Sequence, residues 1–416
     1  MPRLLVLVVL ALLAVATSAL SFSRVIPSDP VLYAITYHSP SSQYEPGCPR
    51  TFTFHSAANK QLAFNLTVHR LRPVPLISSQ YNNNKSHPYG HSVNDYNYNA
   101  AYVPLPHNHS HTRHALLVRT QNATHSTNAP ASPSKLFLAY DVNGRSDFAP
   151  ITLDDLNFYP INANEDFGTE DPRIVYNPTD GRWWLWYTAV RSQPDVHADL
   201  WTASTHNITD PTAWVRHGPV CTDGRWSKSA ALLLRPHNTS YLYFGDSENG
   251  KGMWLATTTN LINYTVADGI WLPVRKQPYF DNGLVEGGPA PLTLSTGDHF
   301  LVHNSAGNVP YNGSQVFAYN VGFVILDKDD PSQIAFRSPV PILSCELGWE
   351  IGEKPWLGLT GWVVFTEGMR RYEEGGDDSF LFYYGGADSV IGAAVVTFSW
   401  YDDGQAPVQH DEVQVE

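Results

Sequence analysis

From about residue 95 onward, apolar runs of roughly four to eight residues recur between turn formers, and helical periodicity is scarce. The runs come in threes: one opening on a polar residue, an alternating aromatic one, and one closing on Thr, Ser or Asp. Asn99–Val103, Ala115–Arg119 and Leu136–Tyr140 make the first group. Asp171–Val175, Trp184–Thr188 and Leu200–Ala203 make the second. Lys228–Leu232, Tyr241–Phe244 and Met253–Thr257 follow, then Glu286–Leu292, His299–His303 and Gly322–Leu326. Gly361–Phe365, Phe380–Tyr384 and Ile391–Val395 close the series. Five groups spaced by roughly 55 to 75 residues predict an all-β, five-bladed β-propeller with an irregular N-terminal extension. A β-sandwich array is the competing architecture, and it explains less well why each group opens on a polar residue. In a propeller the innermost strands line a central channel, so Asn99, Asp171, Lys228, Glu286 and Trp362 would face one another.

The ends of the chain set the remaining boundaries. Arg3, the apolar run Leu4–Val15 and the small residues Thr17-Ser18-Ala19 read as a secretory signal over 1–19, giving a secreted, extracellular product of a eukaryotic pathway. Residues 20–94 form the extension, 95–402 the propeller and 403–416 a tail. Eight sequons, at Asn65, Asn84, Asn108, Asn122, Asn207, Asn238, Asn263 and Asn312, fit that route and mark surface loops. No further run is long enough to span a bilayer, so no membrane contact is expected once the signal is removed.

Composition narrows the chemistry. A formal net charge of −13 argues against nucleic acid or an anionic membrane as partner and fits a neutral substrate. Cys48, Cys221 and Cys345 allow one disulfide with one thiol left over, and they make no metal motif. The histidines 107, 109, 111 and 114 are loosely spaced around a sequon and read as a solvated loop. No metal or organic cofactor is expected, and nothing in the sequence sets the oligomeric state. With 12 Trp and 22 Tyr, the chain is rich in rings that can meet the apolar faces of sugars, while carboxylates serve hydroxyls and glycosidic cleavage. Trp183, Trp184 and Trp186 alternate along one strand and read as packing, whereas Trp226 or Trp362 at a channel mouth would be free to stack on a sugar.

Gly168-Thr-Glu-Asp-Pro-Arg-Ile174 and Phe382-Tyr-Tyr-Gly-Gly-Ala-Asp-Ser-Val-Ile-Gly392 resemble the signatures of glycoside hydrolase family 130. Leu326-Asp-Lys-Asp-Asp-Pro-Ser332 and Trp362-Val-Val-Phe365 resemble that family's connection into the fifth blade and its inner strand there. The resemblance spans about 95 to 400 and implies a five-bladed propeller that is a mannoside phosphorylase or a β-mannosidase. It implies that Asp171 is the general acid, acting through a sugar hydroxyl. Asp388 would hold the mannose beside the cleaved bond, with Asn99, Arg119 and Arg173 as further sugar-binding groups.

Departures from the family's phosphate site point to the acceptor. Glu286 stands where the phosphorylases carry Lys, Gly245-Asp246 replaces a His-Arg pair, and only His303 of the basic group is retained. These exchanges shift the local charge by about four units, and each like-charge contact with phosphate would cost about 1–4 kcal/mol. Asp246 and His303 are then substrate-binding candidates. Glu286 becomes the candidate base that activates water, with Glu367 a second candidate, in an inverting hydrolase of an oligosaccharide or polysaccharide. A phosphorylase with a rebuilt phosphate site and a non-catalytic carbohydrate-binding propeller are the alternatives.

Overall fold

The computed structural model describes residues 20–24, 31–37, 49–56, 63–78, 96–105, 114–122, 132–141, 151–245, 252–311, 313–353 and 358–401. The signal, Cys48, His107, His109, His111, Asp246 and the tail therefore lie outside the described residues.

Five antiparallel sheets follow one another along the chain. Blade one runs Tyr96–Val103, Ala115–Gln121, Lys135–Asp141, Ile151–Phe158, and blade two Gly168–Asn177, Arg182–Arg191, His197–Thr205, Val215–Pro219. Blade three runs Lys228–Leu233, Ser240–Gly245, Met253–Thr258, Thr265–Val266. Blade four is built on Leu284–Gly287, His299–Tyr311, Ser314–Leu326 and Ile334–Arg337, and blade five on Val364–Arg371, Ser379–Gly386 and Val390–Trp400. This is the predicted all-β, five-bladed arrangement.

Side-chain alternation along each strand sends successive residues to opposite faces, so one strand supplies two cores. Trp183, Leu185 and Tyr187 pack on blade one, and Trp184 and Trp186 pack on blade three. Five apolar cores fill the joints between blades one and two, two and three, three and four, four and five, and five and one. Five joints among five blades make a closed ring. The buried tryptophans also satisfy their indole N–H groups: Trp183 donates to Pro104 O, Trp184 to Asp180 Oδ2 and Trp186 to Tyr264 Oη, each at 2.9 Å.

The ring closes through residues expected to be partly irregular. Ala63–Arg70 pairs with Val390–Trp400 as the next strand of blade five, and Arg50–Ser56 pairs beyond it. Phe64, Leu66 and Val68 face the core between blades four and five. Arg70 then ties the closure down. Its Nε donates to Glu350 Oε1 at 2.8 Å, its Nη1 to Glu346 Oε2 at 2.7 Å and its Nη2 to Ser344 O at 2.6 Å.

Among the described residues, no helix is long and apolar enough to cross a membrane and no cluster of His, Cys, Asp and Glu could hold a metal. Cys221 is buried, and the half-buried Cys345 donates its thiol to Tyr319 O at 3.6 Å. His114 accepts or donates at Tyr102 Oη, 3.1 Å away.

Candidate active site

Four of the five inner strands carry one extra residue at the same level. Tyr98 in blade one, the Asp171-Pro172 step in blade two, the Ser229-Ala230 step in blade three and Glu367 in blade five each interrupt an otherwise regular ladder. A bulge re-aims side chains that a regular strand would bury in the blade. Asp171 and Ser229 consequently sit at φ +48° and +53°, a left-handed conformation uncommon for non-glycine residues, and Asp388, in a turn, sits at +49°.

These residues converge across blades. Asp171 Oδ1 accepts from Asn99 Nδ2 at 2.9 Å and from Arg119 Nη1 at 2.7 Å. Arg119 also pairs with Glu170 Oε1 at 2.8 Å and lies over the Tyr98 ring, 4.2 Å from its centroid. Arg173 crosses the ring to donate to Gly287 O and Gly288 O, both at 2.8 Å, and its Nη1 sits 2.5 Å from Glu367 Oε1. Lys228 Nζ lies 2.9 Å from Glu286 Oε1, and Ser229 Oγ donates to Glu286 Oε2 at 2.6 Å. The approach of blade three to blade four demands glycine, since a Cβ on Gly287 would collide with Ser229 O and one on Gly245 would press on Glu286 Cβ at 3.1 Å.

The site thus joins three cations, Arg119, Arg173 and Lys228, to five carboxylates, Glu170, Asp171, Glu286, Glu367 and Asp388. Their environments separate them. For Asp171, burial favours the proton, but Arg119, Arg173, Lys228 and the Asn99 amide outweigh it and hold the carboxyl below the usual range. Burial pushes Glu367 well above that range against the pull of Arg173. Burial also raises Glu170, against Arg119, and Asp388, against Arg119 and a hydrogen bond with Thr360. The Tyr319 phenol, raised by burial and by Glu286, belongs to the same cluster.

Exposure orders the layers. The Lys228 side chain is 24% exposed, whereas Glu286 behind it is 1% exposed. Glu170, Arg119 and Asp388 are half-buried like Lys228, whereas Asp171, Glu367 and Arg173 are buried. Of the residues expected at the site, Asn99, Arg119, Asp171, Arg173, Glu286, Glu367 and Asp388 are brought together. His303 is not. It is fully buried, its ring stacks parallel to Phe280 with centroids 6.1 Å apart, and the charged groups acting on it are Arg337, Asp281 and Arg275. Its ring has no exposed surface, so His303 stands apart from the cluster of carboxylates and cations. Lys228, Ser229, Glu170 and Tyr319 are site members that the motif reading left unassigned. Lys228 is the polar opening of blade three, and the bulge in that strand conceals Ser229 beside it.

Trp226 is half-buried against His197, and Trp362, at φ +63°, packs edge-on to Tyr311 with centroids 4.4 Å apart. A separate cavity of about 480 Å³, lined by Ser295, Arg371, Tyr372 and Glu373, opens at the far end of the blade-five inner strand from Glu367.

The model for glycoside hydrolase family 130, described as beta-1,4-mannooligosaccharide phosphorylase, matches residues 150–400. A curated relative, the 1,2-beta-oligomannan phosphorylase of Thermoanaerobacter sp. (strain X514), is 32% identical over 256 residues, covering 59% of this chain and 76% of its own. The beta-1,2-mannobiose phosphorylase of the same organism is 28% identical over 232 residues, 56% of this chain and 68% of its own. Among solved structures, the beta-1,2-mannobiose phosphorylase of Listeria innocua, in complex with beta-1,2-mannobiose, is similar with a TM-score of 0.59 and 18% identity over 79% of this chain and 96% of its own. Another comes from work stating that the GH130 family of mannoside phosphorylases contains glycoside hydrolases that target beta-1,2 mannosidic linkages in Candida mannan. It is similar with a TM-score of 0.60 and 22% identity over 79% of this chain and 93% of its own. At such identities the two structures bear on the fold.

Proposed function

The chain belongs to glycoside hydrolase family 130, matched over residues 150–400, and from that premise we propose that it cleaves β-mannosidic bonds of oligosaccharides with water as the acceptor. The substrate class is supported by the family and by the curated relatives, which act on oligomannan and mannobiose as their names state. The choice of water rests on one observation: Lys228, the half-buried cation beside the base candidate, is already neutralised by Glu286 at 2.9 Å. A phosphate dianion bound to that ammonium would stand against the Glu286 carboxylate, a like-charge contact costing about 1–4 kcal/mol.

In this reading Asp171 is the acid and Glu286 the base of an inverting displacement. Asp171 protonates the leaving oxygen by way of a sugar hydroxyl. Because the free site keeps Asp171 below the usual range, the carboxyl must take up a proton as the sugar displaces water and thins the dielectric. Glu286 removes a proton from the water that attacks the anomeric carbon. That water reaches it only if the Lys228 ammonium leaves Oε1, and Lys228 is the more exposed partner of the pair, at 24% against 1%. Glu367 is a weaker candidate base, since its raised proton affinity favours a neutral carboxyl. Asn99, Arg119 and Asp388 then orient the sugar, and Arg173 fixes Glu367 and the blade-four backbone.

Phosphorolysis is the second reading, favoured by the three curated relatives, each named as a phosphorylase. Secretion and N-glycosylation belong to the proposal as well, supported by the apolar N-terminus and by the exposure of Asn122, Asn207, Asn238 and Asn263. The test is mannose release from β-1,2-, β-1,3- and β-1,4-mannobiose with and without inorganic phosphate, alongside Asp171→Asn. Phosphate-independent mannose that disappears in the variant supports the reading. Turnover only with phosphate, yielding mannose 1-phosphate, overturns it in favour of phosphorolysis.

A further inference from the structure

The two long strands of blade four outrun their neighbours. His299–Tyr311 and Ser314–Leu326 pair through to Tyr311↔Ser314, yet the inner strand Leu284–Gly287 reaches only as far as Ala306. On the other side, Ser344 reaches only as far as Asn320. Gly307–Tyr311 and Ser314–Ala318 therefore form a two-stranded arm that leaves the blade at the end where Glu286 sits.

The arm carries rings that a two-stranded ribbon does not need for its own packing. Phe317 is 50% exposed and Tyr311 39% exposed, and among the described residues most other large rings, Phe167 apart, are buried or half-buried. Phe317 and Tyr319 are two residues apart on one strand and so share a face. Their rings meet edge to face at 5.9 Å and 90°. Tyr319 in turn contacts Phe365 at 6.0 Å, and its phenol lies in the field of Glu286, Lys228, Asp388 and Asp171. An aromatic path thus leads from the carboxylates outward to solvent. The path is held in place from both sides: Phe317 covers Gly283, three residues before Glu286, and Tyr319 N donates to Trp362 O at 2.9 Å.

We propose that this arm is a carbohydrate subsite, in which Phe317 stacks on a mannosyl unit lying outside the two that flank the cleaved bond. The occupant follows from continuity, because a chain threaded past Tyr319 meets Phe317 next, and a pyranose offers an apolar face to a ring that has one side free. The subsite rests on the β-mannoside reading and adds to it a preference for oligosaccharides longer than two units.

The test compares wild type, Phe317→Ala and Phe317→Trp on β-mannosyl di-, tri- and tetrasaccharides. Binding is measured by calorimetry on the same ligands in an Asp171→Asn background. Phe317→Ala should lower kcat/KM for the tri- and tetrasaccharide about tenfold, the scale of one aromatic contact, leave the disaccharide within about twofold, and be rescued by Phe317→Trp. An equal loss at every length, or no loss at any, overturns the subsite. So does a length-independent effect accompanied by a smaller particle in light scattering, which makes the arm a contact between copies. If wild type turns over no β-mannoside, the functional reading fails on its own. The calorimetric length dependence still decides the subsite.

Discussion

Lys228 Nζ lies 2.9 Å from Glu286 Oε1, so the cation at the mouth of the site and the carboxylate beneath it form one unit. Ser229, in a left-handed conformation, completes that unit by donating to the second carboxylate oxygen. On the proposed reading the ammonium masks the base and must move to unmask it, where a phosphate-using site would need an unpaired cation.

Removing the base should separate the two candidate glutamates. Glu286→Gln should lower kcat by about 10²–10⁴-fold, the usual range for a general base. Glu367→Gln should keep activity within about tenfold, because a carboxyl already inclined to carry a proton loses little on becoming an amide. Steady-state rates on one β-mannoside decide this, and the reverse order would reassign the base.

Substrate binding should take up a proton. Asp171 starts below the usual carboxylate range and must be protonated in the complex, so its proton affinity rises on binding. The complex is then favoured at low pH, and Kd should rise as pH climbs through the bound-state value. Calorimetry on Glu286→Gln in buffers of different ionisation heat should show uptake that Asp171→Asn abolishes. Heats independent of buffer would contradict the assignment of Asp171 as acid.

Ring closure should be sensitive to one buried pair. Arg70 and Glu350 are buried together, and Glu350 also accepts from Tyr384 Oη at 2.8 Å. Arg70→Met leaves that carboxylate uncompensated and should cost about 3–5 kcal/mol. Chemical denaturation reads the loss, and a change below about 1 kcal/mol would mean that the N-terminal strands contribute little to closure.

Acid should loosen blade four before the other joints. His303 is buried without a hydrogen-bond partner on either ring nitrogen, and burial lowers it to about 3. The unfolded histidine gains its proton near pH 6.5 while the native one resists, so stability should fall by about 1.4 kcal/mol per pH unit below that value. Asp281 acts in a lower window. Arg337 and Arg275 overcome burial to hold it below the usual range, so its contribution is present above about pH 3.9 and vanishes as pH falls through its native value. Denaturation midpoints of wild type and His303→Gln from pH 7 to 4 should differ in slope; parallel curves would contradict this.

The blade pattern was legible because each strand carries its own period-two signal and each turn its own breakers. Asp171 and Glu286 were legible because polar strand openings must converge in a closed ring, and Asp388 because the run Phe382–Gly392 resembles a family signature. Closure was not. Phe64 pairs with Trp400 across most of the chain, and no local signal in either segment names the other. The bulges at Ser229 and Glu367 were equally hidden, since an extra residue in a strand leaves the apolar alternation nearly intact. His303 is named by its likeness to the family's basic group, whereas alternation turns its ring onto Phe280 and away from the cluster.

The acceptor is tested most directly by running the reaction in ¹⁸O-labelled water with inorganic phosphate present, following the first product by NMR and mass spectrometry. The account predicts mannose released as the α-anomer with the label on its anomeric hydroxyl. Unlabelled mannose 1-phosphate would contradict it.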